Sequence, residues 1–260
     1  MSSTAALFDT HCHLDVAAFD IDRGHVIDAA NRNGVTRQLI PAINQDNWQA
    51  IRTLCGSHEN LHAAYGFHPM YLPAADDQHI KDLKRFLDAE PDAVAVGECG
   101  LDFYIENFDA DRQRWFLDRQ LRIARDRELP VILHARRAVD DVMSSIRRFG
   151  PLTGIVHSYP GSLDQAKRLF DMGFKLGIGG PVTYERANKL RTIVKEMPLE
   201  SLVLETDAPD QPNSDQRGQR NEPANLLAVA QVVAQVRGET LAHVAQVTTR
   251  TAMDLFKLAS

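Results

Sequence analysis

Cysteine is scarce in this chain. The three residues, Cys12, Cys55 and Cys99, are too few and of the wrong parity for a disulfide framework, so none is expected to be bridged and a reducing, intracellular setting is implied. No run approaches the ~20 apolar residues that a membrane span requires, and the opening Met-Ser-Ser-Thr-Ala-Ala-Leu-Phe-Asp carries no basic segment followed by an apolar one. A soluble, cytoplasmic protein with no membrane contact is expected. Low-complexity segments and Gly/Ser-rich linkers are also missing, so residues 1–260 read as one domain. There is no Gly-rich dinucleotide fingerprint and no phosphate loop. The nearest stretch, Gly177-Ile178-Gly179-Gly180, reads as a strand end and turn, and no nucleotide cofactor is implied. Nor is positive charge in excess: Lys+Arg 29 against Asp+Glu 35 leaves −6. That balance excludes coating duplex DNA through a bulk positive field, while leaving room for a locally basic groove.

What is present is an alternation of apolar runs with longer amphipathic stretches, in a chain that is 44% hydrophobic and therefore able to bury a core. Eight runs, at residues 7–11, 38–43, 61–66, 93–97, 131–134, 154–156, 174–178 and 202–204, are mostly continuous rather than alternating, as parallel strands covered on both faces require. Helical stretches follow them. Ser162-Leu163-Asp164-Gln165 is a capping box, Asn221 before Glu222-Pro223 predicts another helix start, and the longest helix is predicted over 109–128, with Leu117, Leu121 and Ala124 inward. Eight strand-helix repeats point to an α/β fold, a (β/α)₈ TIM barrel, with an open doubly wound sheet as the competitor. The barrel is favoured because nearly every run ends in His, Asp, Glu or Arg, which places chemistry around a whole rim rather than at one switch point.

Ten histidines are the unusual feature. His11 and His13 end the first run, and residues i and i+2 of a strand share a face, so both imidazoles project into one cavity with Cys12 turned away. The fourth run ends at Glu98, where a carboxylate after a buried stretch needs a cation. The fifth ends at His134, the sixth at His157 and the eighth at Asp207. Four imidazoles and two carboxylates on one rim suffice for two divalent metal ions. The expected partition has Glu98 bridging, His11, His13 and Asp207 on one ion, and His134 and His157 on the other, with a metal-bridging hydroxide as nucleophile and Asp207 as its general base. Such a mixed donor set suits Zn or Mn and tolerates Mg. Parity adds further residues. Arg136 shares the face of His134 and is suited to bidentate contact with a phosphate, or else to an ion pair with Asp140. Tyr159 shares the face of His157, and His68 in Gly66-Phe67-His68-Pro69 is placed to touch substrate. Glu205, one step deeper than Asp207, reads as an orienter of a ligating histidine. The arginines of 109–128 come with interleaved acids and read as a solvated helix face.

With these motifs in order along nearly the whole chain, the sequence resembles the TatD family of metal-dependent hydrolases and deoxyribonucleases. The likeness rests on Phe8-Asp9-Thr10-His11-Cys12-His13-Leu14-Asp15, Gly66-Phe67-His68-Pro69, Val96-Gly97-Glu98-Cys99-Gly100-Leu101-Asp102, Leu133-His134-Ala135-Arg136, Gly154-Ile155-Val156-His157, Leu204-Glu205-Thr206-Asp207-Ala208-Pro209 and Arg220-Asn221-Glu222-Pro223. The resemblance implies a (β/α)₈ fold and divalent-metal phosphodiester hydrolysis, with His11, His13, Glu98, His134, His157 and Asp207 as ligands. Two departures stand out: Ser158-Tyr159-Pro160-Gly161 where the family commonly has Cys-Phe-Ser-Gly, and Asp210 where a Tyr often follows Asp-Ala-Pro. Asp210-Gln211-Pro212, with Gly218-Gln219 ahead of Asn221, looks most like the YjjV-type branch. The expected activity is that of a 3′-5′ exonuclease on single-stranded DNA or DNA ends, acting as a monomer without an obligate protein partner. The acidic charge and Asp210 favour the alternative, a hydrolase of a small ester, amide or lactone. A barrel with purely structural metals is the third reading.

Overall fold

A computed structural model describes residues 6–74 and 76–259; most of the opening stretch read above for a leader lies outside the described residues. Eight strands, β1 (Leu7–Asp9), β2 (Val35–Pro41), β3 (Leu61–Tyr65), β4 (Ala93–Asp102), β5 (Val131–Arg136), β6 (Gly154–Val156), β7 (Phe174–Ile178) and β8 (Leu202–Leu204), pair in parallel and in sequence order. Closure is completed just past the strand ends. The amide of Thr10 donates to the Leu204 carbonyl at 3.0 Å, that of Asp207 to His11 at 2.8 Å and that of His13 to Ala208 at 2.7 Å. An open doubly wound sheet would leave β1 and β8 apart, so the barrel expectation holds.

Strand alternation divides the core into two layers. Phe8, Leu39, Ala95, Ile132, Ile155 and Val203 fill the barrel, and Ala252 of α9 (Leu241–Leu255) with the following Phe256 plugs its lower end. Their neighbours Leu7, Ile40, Val96, Leu133, Val156 and Leu204 face outward to the helices. Continued upward, the inward parity of Ile132, Ile155 and Val203 reaches His134, His157 and Glu205, which is how the interior lining becomes a polar rim. In the outer layer, α4 (Ala110–Asp126) is capped by the Asp109 carboxylate, which accepts from the Arg112 amide at 2.9 Å, and buries Leu117, Leu121 and Ala124 as predicted. The capping box of α6 (Leu163–Asp171) forms between Ser162 and Gln165. No helix among the described residues is long and apolar enough to cross a membrane.

Two boundaries differ from those read in the sequence. β4 does not end at Gly97 but runs on to Asp102, with a register shift between Val96 and Cys99. The bulge is a glycine device: Gly97 has φ +154°, and a Cβ there would stand 2.7 Å from the Ile132 Cβ. Its effect is to turn Glu98 into the barrel and Cys99 into the outer core. Asn221 does not start a helix either. α8 (Leu226–Arg237) begins five residues later, after a single 3₁₀ turn (Pro223–Asn225). The Asn221 amide instead donates to the carbonyls of Thr206 and Asp210, at 2.9 Å each, and braces the segment that carries Asp207.

Candidate active site

The upper end of the barrel opens into a cleft of about 730 Å³ whose floor is Glu98. The two oxygens of this carboxylate face different groups. Oε2 lies 3.1 Å from His11 Nε2 and 3.8 Å from His13 Nε2, and both nitrogens lie 3.6 Å from Asp207 Oδ1 and 3.2 Å from each other. Oε1 lies 2.9 Å from His157 Nε2 and 3.1 Å from His134 Nδ1, which are themselves 3.2 Å apart. A tetrahedral ion with ~2.0–2.1 Å bonds holds its donors about 3.3–3.4 Å apart, so both groups have the spacing of a metal nest. The donors also suit a cation chemically. They are imidazole nitrogens and carboxylate oxygens, while Cys12 and Cys99 are buried in the outer core, where burial pushes both thiols up.

Electrostatics agree with this geometry. Burial works against charge on His157 and His13, but Glu98 lifts His157 to about 10, and Asp207 with Glu98 lifts His13 to about 9. His11, stacked on His157 with ring centroids 4.0 Å apart, is pushed by burial and by that neighbour down to about 4. The same imidazoles hold Glu98 and Asp207, against their own burial, well below the usual carboxylate range. Protons here stand in for missing positive charge, which cations would supply directly.

An outer ring of groups fixes the donors. The Asp102 carboxylate lies 3.0 Å from His134 Nε2, so that nitrogen carries the proton and Nδ1 presents its lone pair to the nest. The Gln211 amide donates to Asp207 Oδ2 at 2.5 Å, leaving Oδ1 for His11 and His13. Asp9, fully buried, accepts from the amides of His11 and Thr206 and from the Thr206 hydroxyl, which ties β1 to the Asp207 segment. Asp207, Ser158 and Gln211 all have positive φ, at 58°, 43° and 50°, a concentration of costly backbone around one cleft.

A family model described as TatD related DNase matches residues 8–257. The chain belongs to the TatD family. It is 39% identical to the uncharacterized metal-dependent hydrolase YjjV of Escherichia coli K12, over 96% of this chain and 97% of that protein. It is 33% identical to a Pantoea ananatis protein named 3'-5' ssDNA/RNA exonuclease TatD, over 97% of this chain and all of that one. The crystal structure of YjjV superposes with a TM-score of 0.94 at 37% identity over the structurally aligned residues, covering 98% of this chain and 100% of that one. By family and by donor set, this TatD chain is a metal-dependent hydrolase.

The TatD barrel brings His11, His13, Glu98, His134, His157 and Asp207 together, and places His68, read from the sequence as a substrate contact, in the same cleft. Its Nε2 is 3.2 Å from Glu98 Oε1, while its Nδ1 accepts from the Met70 amide at 3.1 Å. Burial lowers its pKa, and with Nδ1 taken by the Met70 amide it is Nε2 that points into the second nest, where His68, Glu98 and His134 also have the spacing to hold an ion. Arg136 stands on the rim, half exposed and stacked 3.7 Å over the Tyr104 ring. Asp140 is engaged instead by Gln165 and Arg168. Tyr159 is not brought to the cleft. Ser158 enters the left-handed region, alternation ends there, and the Tyr159 hydroxyl donates to the Ser162 carbonyl at 2.8 Å. Glu205 acts one bond away from its expected role: it accepts the Ser158 amide at 2.5 Å, while His157 Nδ1 is 3.8 Å off. Asp102 and Gln211 were not singled out from the sequence. For Asp102 the signal was there, since 98, 100 and 102 share a strand face once β4 is allowed to continue past Gly97.

Proposed function

We propose that this TatD-family protein hydrolyses phosphodiester bonds in single-stranded nucleic acid, stepping from the 3′ end, with two divalent ions in the two nests. The observation that carries this reading is the division of Glu98, one oxygen to each donor set, because one carboxylate shared by two sets of donors would let these six residues hold the pair of ions used in phosphoryl chemistry. Bound there, the ions would supply an activated water and neutralise charge on the attacked and leaving oxygens. The protein's own groups do the rest. Asp207, held ionised, offers Oδ1 at the cleft as a proton acceptor while Gln211 holds Oδ2. His68 presents an N–H to a substrate oxygen, and Arg136 offers a forked donor at the rim for a phosphate. The name of the Pantoea relative supports the nucleic-acid reading.

A second reading, a small ester, amide or lactone, is favoured by Asp210. Its carboxyl lines the cleft, and an acid at the mouth disfavours a polyanion. The deciding experiment is cleavage of a 5′-labelled single-stranded oligonucleotide by metal-stripped protein reloaded with Mg, Mn or Zn, beside Asp207→Asn. A stepwise ladder that the variant does not produce is expected. No cleavage under any ion, with metal shown to be bound, overturns the proposal in favour of the small substrate.

A further inference from the structure

Beside the cleft lies a groove of about 370 Å³ that shares Arg136 and Pro160 with it as wall residues. Arg136 lies 4.0 Å from the Asp102 carboxylate, while the other two cations of the wall are unspent. Arg137, placed by a φ of 56° at the start of the loop after β5, stacks 4.5 Å over the Tyr104 ring that also carries Arg136. Lys189 reaches in from α7 (Asn188–Glu196) and donates only to the Pro160 carbonyl, at 3.1 Å. Neither Arg137 nor Lys189 forms an ion pair among the described residues. The carboxylates on the same wall are paired with arginines that do not line it: Asp140 with Arg168 at 3.3 Å, while also accepting from the Gln165 amide, and Asp141 with Arg114 at 2.8 Å. In a chain of net charge −6, a wall with three cations, whose acids are occupied elsewhere, is a local reversal of sign. The shared Tyr104 ring keeps both guanidinium planes ordered before anything binds, which lowers the entropy lost on contact.

We propose that this groove binds the phosphate next to the scissile one, so that Arg137 and Lys189 are specificity residues for a strand of at least two phosphates. The proposal rests on the phosphodiesterase reading above and names where its substrate continues. A single-phosphate diester ends at Arg136 and does not enter the groove, whereas an oligonucleotide does.

The test pairs two substrates on the metal-loaded enzyme. Binding of a fluorescein-labelled phosphorothioate oligothymidylate, which resists cleavage, is followed by anisotropy across a salt series for wild type, Arg137→Gln, Lys189→Gln and the double variant. Turnover of bis(p-nitrophenyl) phosphate is measured beside it. Each single variant is expected to weaken oligonucleotide binding about tenfold and to flatten the slope of log K against log salt by about 0.7, with Arg137→Lys restoring that slope and turnover of the small diester unchanged. Unchanged affinity and slope in the double variant, with an unchanged melting temperature, overturn the groove. Loss of binding without hydrolysis of any diester supports the groove and overturns the phosphodiesterase reading instead.

Discussion

Asp102→Asn removes one oxygen lone pair and adds no volume, yet it should separate the two nests. In the native site, Asp102 Oδ2 accepts a hydrogen bond from His134 Nε2, and its other oxygen accepts from the amides of Tyr104 and Ile105 at 2.9 and 3.3 Å. An asparagine keeps the second interaction but turns an N–H toward His134 Nε2. The ring then has to place its proton on Nδ1, which blocks the lone pair facing Glu98 Oε1. Loss of such an orienting carboxylate weakens metal binding by about 10- to 100-fold, or about 1.4–2.7 kcal/mol, and here the loss should fall on one ion only. Among the described residues, His11, His13 and Asp207 form no hydrogen bond or ion pair with Asp102, so the other nest should keep its affinity. Calorimetric titration with Zn or Mn reads both sites: two native binding steps are expected to become one native step and one weakened step. Activity should fall by a similar factor, and the melting temperature by only a few degrees, about 2–4 °C per kcal/mol lost. If both steps keep native affinity, or if both weaken equally, the argument that Asp102 sets the His134 tautomer is wrong.

Other consequences can be checked alongside. Asp207→Asn is expected to lower turnover at least ~10³-fold while circular dichroism stays native, because an amide cannot accept the proton that Oδ1 is placed to take; a loss under tenfold contradicts that role. Tyr159→Phe removes only the bond to the Ser162 carbonyl, so thermal melting should register about 0.5–1.5 kcal/mol and KM should not move. In chelator-treated protein, His13 and His157 have folded pKa values of about 9 and about 10, raised above the ordinary histidine value. Their stabilisation is complete below pH ~6.5 and is lost as pH rises through those values, so the melting temperature of the metal-free protein should fall between pH 7 and 10. Added metal should reverse the trend, since binding requires those rings unprotonated; a melting temperature flat across that range counts against the charge balance described for the nests.

The parts of the site that sequence made legible are those where geometry is local. His11 and His13 could be paired because i and i+2 share a strand face, and His134 and His157 because each follows an uninterrupted buried run. Tyr159 fails the same rule since it lies beyond the strand, after Ser158 has left extended backbone. Asp102 was hidden by Gly97 and Gly100, which look like strand breakers but serve a bulge and a close approach to β5; a Cβ on Gly100 would meet the His134 carbonyl at 2.0 Å. Asn221 looked like a helix cap because its true acceptors, the carbonyls of Thr206 and Asp210, are distant in sequence and adjacent only in the closed barrel.

The seam between β1 and β8 has a consequence for how the protein comes into being. Thr10 and Leu204 are 194 residues apart, and the donors His11, His13 and Asp207 stand on either side of that join. A ribosome-bound chain therefore displays His134, His157 and Glu98 long before it can complete the other nest. Completion of the donor set waits on the last long-range closure, the slowest kind of contact for a chain to make. Closure of the barrel and completion of that nest are thus a single event, and a chain that has not closed its seam has only half of the donor set.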